Sequence, residues 1–135
     1  MTVKVVTRPD SLTATTFTFV VPAGEIWSLR SVVVNVTRGA GGAPGRAYRL
    51  DITNGTSVVS AFGAADAGTD PGTCEITWCQ APAGADATGN AGIVSAPMRA
   101  DRCPTGYQII GTITGSVAGD LITAATVWCD FVNAS

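Results

Sequence analysis

The chain has 135 residues, of which 46% are apolar and only 13% are charged. This length fits one domain, residues 1–135, that can bury a core without metal or covalent crosslinks. The formal net charge is −2, histidine is absent and Lys4 is the single lysine, so the chain lacks the basic surface that nucleic acid or an anionic membrane requires. We therefore expect neither nucleic acid nor a membrane as a partner.

The N-terminal residues bear on where the protein resides. No apolar run approaches the length of a bilayer span, and the opening MTVKVVTRPD lacks the order of a secretory signal peptide. We expect synthesis in the cytoplasm, with no secretory route. Residues 1–10 predict either an edge strand or a flexible arm that orders when it binds a neighbour.

The predicted elements are strands, because β-branched and aromatic residues alternate with polar residues between short turn signals. The first covers residues 15–21. The second, residues 26–37, is the longest, and its apolar set changes phase near Arg30 or Ser31, which predicts a bulge.

A hairpin is predicted next, because a strand through Tyr48 meets the dipeptide Asn54-Gly55 and then a run over residues 57–62. Further strands are predicted over residues 73–80, 93–95, 107–114 and 120–132. Eight or nine short strands of this kind predict an all-β, antiparallel two-sheet β-sandwich resembling a jelly roll, with an immunoglobulin-like sandwich as the alternative.

Alternation assigns one set of side chains to the buried layer between the sheets. These residues are Phe17, Phe19, Val32, Val34, Leu50, Ile52, Ile76, Trp78, Ile109, Leu121 and Phe131.

No residue pattern indicates catalysis. A chain without histidine lacks the usual general base, and a serine nucleophile would depend on Lys4. The glycines of residues 39–45 are followed by no Gly-Lys-Ser/Thr, and the acidic residues do not follow the spacing of a calcium loop. We expect no enzymatic activity, no metal and no cofactor.

The four cysteines divide into two pairs. Alternation makes Cys74 and Cys129 small buried apolar residues. Cys79 ends a predicted strand and Cys103 lies in a loop, so these two are better placed to form a disulfide outside a reducing cytoplasm, although sequence alone does not fix connectivity.

Two apolar positions are predicted to remain uncovered and to contact a partner, namely Trp27 and Val33. For Trp27 and Trp128, packing or subunit contact is favoured over stacking on a sugar, because no second stacking residue accompanies them.

Two arginines are candidate interface residues as well. Arg46 and Arg49 flank Tyr48 at the start of a strand. Their guanidinium groups can pair with Asp51 or Asp120, or bridge to a neighbouring subunit.

The order of several short motifs resembles that of small bacteriophage virion proteins. The sequence VPAGEIW at residues 21–27 precedes a long strand, and a Gly-x-Arg-like opening at residues 45–52 leads to the next. PTGY at residues 104–107 opens a later strand, which comes before a final strand led by Asp120. In this group, capsid decoration and minor structural proteins have a jelly-roll-like β-sandwich. The resemblance implies a capsid-associated jelly roll without catalytic residues.

From these observations we expect a non-enzymatic capsid decoration, or cement, protein on the virion surface. Such a protein stabilises the head by binding the major capsid protein at junctions between its subunits, and we expect a homo-oligomer, with a trimer favoured. The alternative is a phage tail, fibre or adsorption module that binds host surface glycans through the loops at residues 39–45 and 81–92.

Overall fold

The computed structural model describes residues 2–39, 46–65, 72–80, 93–99 and 101–133, and within these ranges it contains eleven strands and no helix. The strands are β1 (Thr2–Val6), β2 (Ser11–Leu12), β3 (Thr16–Val20), β4 (Glu25–Arg38), β5 (Ala47–Thr53), β6 (Val58–Ala65), β7 (Gly72–Cys79), β8 (Ile93–Pro97), β9 (Arg102–Cys103), β10 (Gln108–Thr114) and β11 (Leu121–Asn133).

The strands form two sheets that pack face to face. The first sheet has the order β1-β11-β4-β7-β8, and β9 also pairs with β4; the second sheet has the order β2-β3-β10-β5-β6. All pairings are antiparallel except that of β7 with β8. Eight strands remain when the two-residue strands β2 and β9 and the parallel strand β8 are left out. Counted along the chain, the first, eighth, third and sixth of these form one sheet, and the second, seventh, fourth and fifth form the other. This winding is that of a jelly roll, and the predicted two-sheet β-sandwich is confirmed.

The predicted bulge in the long strand β4 is present. Ser31 pairs with Trp128 of β11, but Leu29 pairs with the next residue, Cys129, so Arg30 is the extra residue. An extra residue shifts the phase of the strand, so Leu29 and Val32 both point inward on its two sides.

The predicted hairpin at Asn54-Gly55 connects β5 to β6. The Asn54 side-chain oxygen accepts hydrogen bonds from the backbone N–H of Thr56 at 3.0 Å and of Ser57 at 2.9 Å. Gly55 has a φ of 98°, a conformation that glycine adopts at low cost. The turn therefore requires the two residues that marked it in the sequence.

The core lies between the two sheets and contains most of the predicted residues. Phe17, Phe19, Val32, Val34, Leu50, Ile52, Ile76, Trp78 and Ile109 are all buried. The rings of Phe17 and Phe19 meet edge to face with centroids 5.7 Å apart. Phe17 also lies over Gly111 of β10, where a Cβ would overlap its ring.

Of the two predicted core residues near the C-terminus, Leu121 is exposed, so the prediction was wrong for it, whereas Phe131 packs against the core. Leu121 is 45% exposed, because Thr123 is an extra residue in β11 between the pairs that Ile122 and Ala124 make with β4. Alternation counted back from Cys129 therefore assigns the residues before Thr123, including Leu121, to the wrong face of the strand. Phe131 is half-buried at the edge of the core.

Candidate interaction surface

The four predicted interface residues do not form one surface. Trp27 is only 1% exposed and belongs to the core. Arg46 is also buried, with its side chain fully covered. Val33 is half-buried on the outer face of the first sheet, whereas Arg49 is exposed on the second. The interface prediction was therefore wrong for Trp27 and Arg46.

Trp27 is buried because of the phase of β4 on its side of the bulge. Trp27 and Leu29 alternate inward, and Trp27 pairs with Cys103 of β9, which is itself buried. The Lys4 ammonium lies 5.5 Å from the Trp27 ring centroid and 2.7 Å from a carboxylate oxygen of Glu25. The indole is thus covered by the core and by Lys4, and no surface remains for a partner.

Arg46 is buried because it pairs with Asp120, which was one of the two carboxylates predicted for it. Its Nη2 and Nε donate to the two Asp120 oxygens at 2.8 and 3.0 Å. The same carboxylate accepts the backbone N–H of Gly39 at 2.7 Å and of Val117 at 2.9 Å. One carboxylate thus joins the end of β4, the start of β5 and the turn before β11, which is a structural role.

The environment of Asp120 keeps it ionised. Burial by itself would raise the pKa of this carboxyl group, but the hydrogen bonds from Arg46, Gly39 and Val117 stabilise the anion and lower the pKa below its ordinary value. Space is tight at this junction, because a Cβ on Gly39 would collide with the backbone oxygen of Ala118.

An exposed apolar patch lies on the outer face of the first sheet. We call it the Val–Trp face, and it consists of Val3 and Val5 on β1 with Trp128 and Val132 on β11. The register places Val5 directly opposite Trp128. Both side chains are 42% exposed, although each is apolar enough to gain from burial.

A charged pair lies within the Val–Trp face, because Asp130 is between Trp128 and Val132 on β11 and pairs with Val3 of β1. Arg30 donates to Asp130 at 2.9 Å, which favours the charged form of the guanidinium and raises its pKa. An apolar patch whose one carboxylate is neutralised by an arginine is compatible with a protein contact surface.

The cysteine thiols of the core are poor nucleophiles. Burial, and secondarily the charge of Asp101, raises the pKa of Cys103 to about 12, and burial raises the pKa of Cys129 to about 11. Both thiols therefore stay protonated at neutral pH. Within the described ranges, no three His, Cys, Asp or Glu side chains gather as metal ligands would.

The predicted Cys79–Cys103 disulfide is not formed, and all four cysteines are free. Cys79 pairs with Ser31 and Cys103 with Trp27, along the same side of β4. Four residues of strand separate the two positions by about 13 Å, whereas a disulfide requires Cα atoms within about 7 Å. The strand register therefore does not bring this pair together.

Comparisons with family models, with curated proteins and with solved structures find no match. In the described part of the chain, no helix is long and apolar enough to cross a membrane. The resemblance to phage virion proteins therefore stays a prediction.

The sequence contained a weak signal for the Val–Trp face. Val3 and Val5 alternate around Lys4, as the outward residues of an edge strand do, and Trp128 was expected in packing or subunit contact. The pairing of β1 with β11 joins these separate signals into one surface, and it makes the N-terminal segment an edge strand.

Proposed function

We propose that the protein is a non-enzymatic bacteriophage structural protein, a capsid decoration protein that binds the major capsid protein on the virion surface. The observation that carries this proposal is the Val–Trp face, in which Trp128 and Val5 stand side by side and exposed on a sheet. The motif order of the sequence supplies the phage context.

The geometry of the Val–Trp face suits binding without chemistry. Trp128 lies on β11, which pairs with β1 on one side and β4 on the other. A rigid sheet loses little conformational entropy when a partner covers it. Tryptophan is also the residue type that contributes most strongly to protein interfaces. We assign Trp128 as the anchor and the valines as the apolar surface around it.

The glycan-binding alternative depends on the loops at residues 39–45 and 81–92. Apart from Gly39, these loops lie outside the described residues. The Val–Trp face, in contrast, lies within the described residues and is an apolar surface on a sheet. We therefore favour capsid binding over glycan binding.

Co-sedimentation tests the proposal. The full chain is mixed with empty shells assembled from the major capsid protein encoded in the same genome, and the shells are pelleted. We expect the chain to pellet at a fixed ratio to the shell protein, because binding sites repeat with the lattice. Wild-type chain that stays in the supernatant, or a genome without a major capsid protein, would contradict the proposal.

A matched pair of variants locates the contact. Trp128→Ser should reduce pelleting strongly, because it removes the anchor of the Val–Trp face; circular dichroism checks that the variant keeps its strands. Leu12→Ser, at a similarly exposed apolar residue on β2 of the second sheet, should leave pelleting unchanged. Equal pelleting of Trp128→Ser and wild type would show that another surface binds.

A further inference from the structure

The sheet edges of the described chain differ in how well they are protected against pairing with another strand. β1 has Lys4 at its centre, held by Glu25, and β8 ends at Pro97 after five residues. Lysine, proline and short length are the usual means of blocking an edge. β2, at the edge of the second sheet, is only two residues long.

β6 has none of these protections. It runs for eight residues, VVSAFGAA, without charge or proline. Among the described strands it pairs only with β5 and is the last strand of the second sheet; β8 of the first sheet lies near it but does not pair with it. At its start, Val58 and Val59 are 51% and 50% exposed. A long, uncharged edge strand of this kind is a template for pairing with another strand.

We propose that β6 joins two copies of this chain, which pair as antiparallel strands about a two-fold axis and merge their five-stranded second sheets into one sheet of ten strands. The proposed homo-oligomer is thus a dimer, in place of the trimer that the sequence analysis favoured. The occupant of the edge is thus a second copy of the same strand. Such a contact is self-complementary, as a two-fold interface must be.

Charge complementarity favours a second copy. Within one chain, Arg49 lies opposite Gly63 and Asp51 lies opposite Ala61. An axis through Phe62 sets Gly63 of each copy against Ala61 of the partner subunit. Arg49 then lies in the same cross-strand row as Asp51 of the partner subunit. Three strand spacings, or about 14 Å, separate the Cα atoms of these two residues. Each dimer would have two such complementary rows.

The surface between these charges is open. A groove of about 470 Å³ runs along the outer side of β5 and β6, and its lining includes Ala47, Ala61 and Gly63 beside Arg49. Because these neighbours are small, the arginine side chain can extend across the groove toward the partner's carboxylate. Arg49 already binds Asp51 of its own chain at 2.7 Å, so the seam would gather equal numbers of positive and negative charges.

The inner side of β6 is already covered, which leaves the strand edge as the contact. The Arg99 guanidinium lies 6.0 Å from the Phe62 ring centroid and donates to the Ser60 hydroxyl at 2.9 Å. Phe62 also packs against the core. A partner would therefore add to the backbone of β6 and to its outer face.

Light scattering on a sizing column tests the proposal with the full chain alone. We expect twice the chain mass of 13.7 kDa. Ala61→Lys should raise the dimer dissociation constant by about tenfold or more, because it places a lysine from each copy at the seam. Leu12→Lys puts the same charge on β2, at the other edge of the second sheet, and should leave the dimer intact. Circular dichroism checks that both variants keep their strands.

A charge exchange gives a second, independent test. Arg49→Asp should weaken the dimer, and adding Asp51→Arg should restore it, because the exchanged charges again face their opposites. A wild-type monomer or trimer would overturn the proposal. So would a dimer that Leu12→Lys dissociates and Ala61→Lys does not. No shells are present, so this experiment can fail without affecting the proposed capsid binding.

Discussion

Removing the Asp120 carboxylate should destabilise the fold more than removing any exposed charge. In Asp120→Ala, the Arg46 guanidinium stays buried without its counter-charge, and the backbone N–H groups of Gly39 and Val117 lose their acceptor. Removing one partner of a buried ion pair costs about 3–5 kcal/mol of unfolding free energy. At about 3 °C per kcal/mol for a domain of this size, the Tm should fall by about 10–15 °C.

The assay is urea and thermal unfolding followed by circular dichroism at a fixed protein concentration. Asp130→Ala is the matched control, because it removes an aspartate whose partner, Arg30, is largely exposed, and we expect little change in Tm. Arg46→Met combined with Asp120→Leu should recover part of the loss, since no unpaired charge then remains. If Asp120→Ala unfolds at the same urea concentration as Asp130→Ala, the proposed role of the buried pair is wrong.

The same carboxylate makes stability depend on pH. The pKa of Asp120 is lower in the folded chain than the ordinary value of about 3.9 in the unfolded chain. The contribution of the Asp120 carboxylate to the free energy of unfolding is therefore complete above about pH 4, and it is lost as the pH falls through the folded-state pKa. The stability difference between wild type and Asp120→Ala should shrink in acid. A difference that stays constant to low pH would contradict this assignment.

Three further predictions concern other parts of the molecule. Gly111→Ala should cost about 1–3 kcal/mol in urea unfolding, because its Cβ would overlap the Phe17 ring; an unchanged midpoint would show that the ring can move aside. Asn54→Ala should cost about 1 kcal/mol, because the side-chain acceptor of the β5–β6 turn is lost, and wild-type stability would contradict that role. A thiol reagent at pH 8 should modify Cys79 first, because the other three cysteines are buried, and a second equally fast thiol would contradict this order.

The sandwich could be predicted because its signals are local. Alternation defines strands, and the Asn54-Gly55 turn and the phase change at Arg30 can both be read within a few residues. Trp27 shows the limit of this reasoning. Alternation separates two faces of a strand but does not say which face is inward, and the packing of the second sheet against β4 decides that.

The interaction surface depended on contacts between distant parts of the chain. Arg46 and Asp120 are 74 residues apart, and only the packed fold shows that their pairing removes Arg46 from the surface. Likewise, Val5 and Trp128 become neighbours only because β1 pairs with the C-terminal strand. The spacing of residues along the sequence does not reveal such long-range contacts.

Electron cryomicroscopy of shells incubated with the full chain tests the central claim most directly. The account predicts added density at junctions between major capsid subunits, with the sheet that contains Trp128 turned toward the shell. Shells that stay bare at saturating protein concentration would contradict capsid binding. Density in which Trp128 faces solvent would contradict the assigned surface.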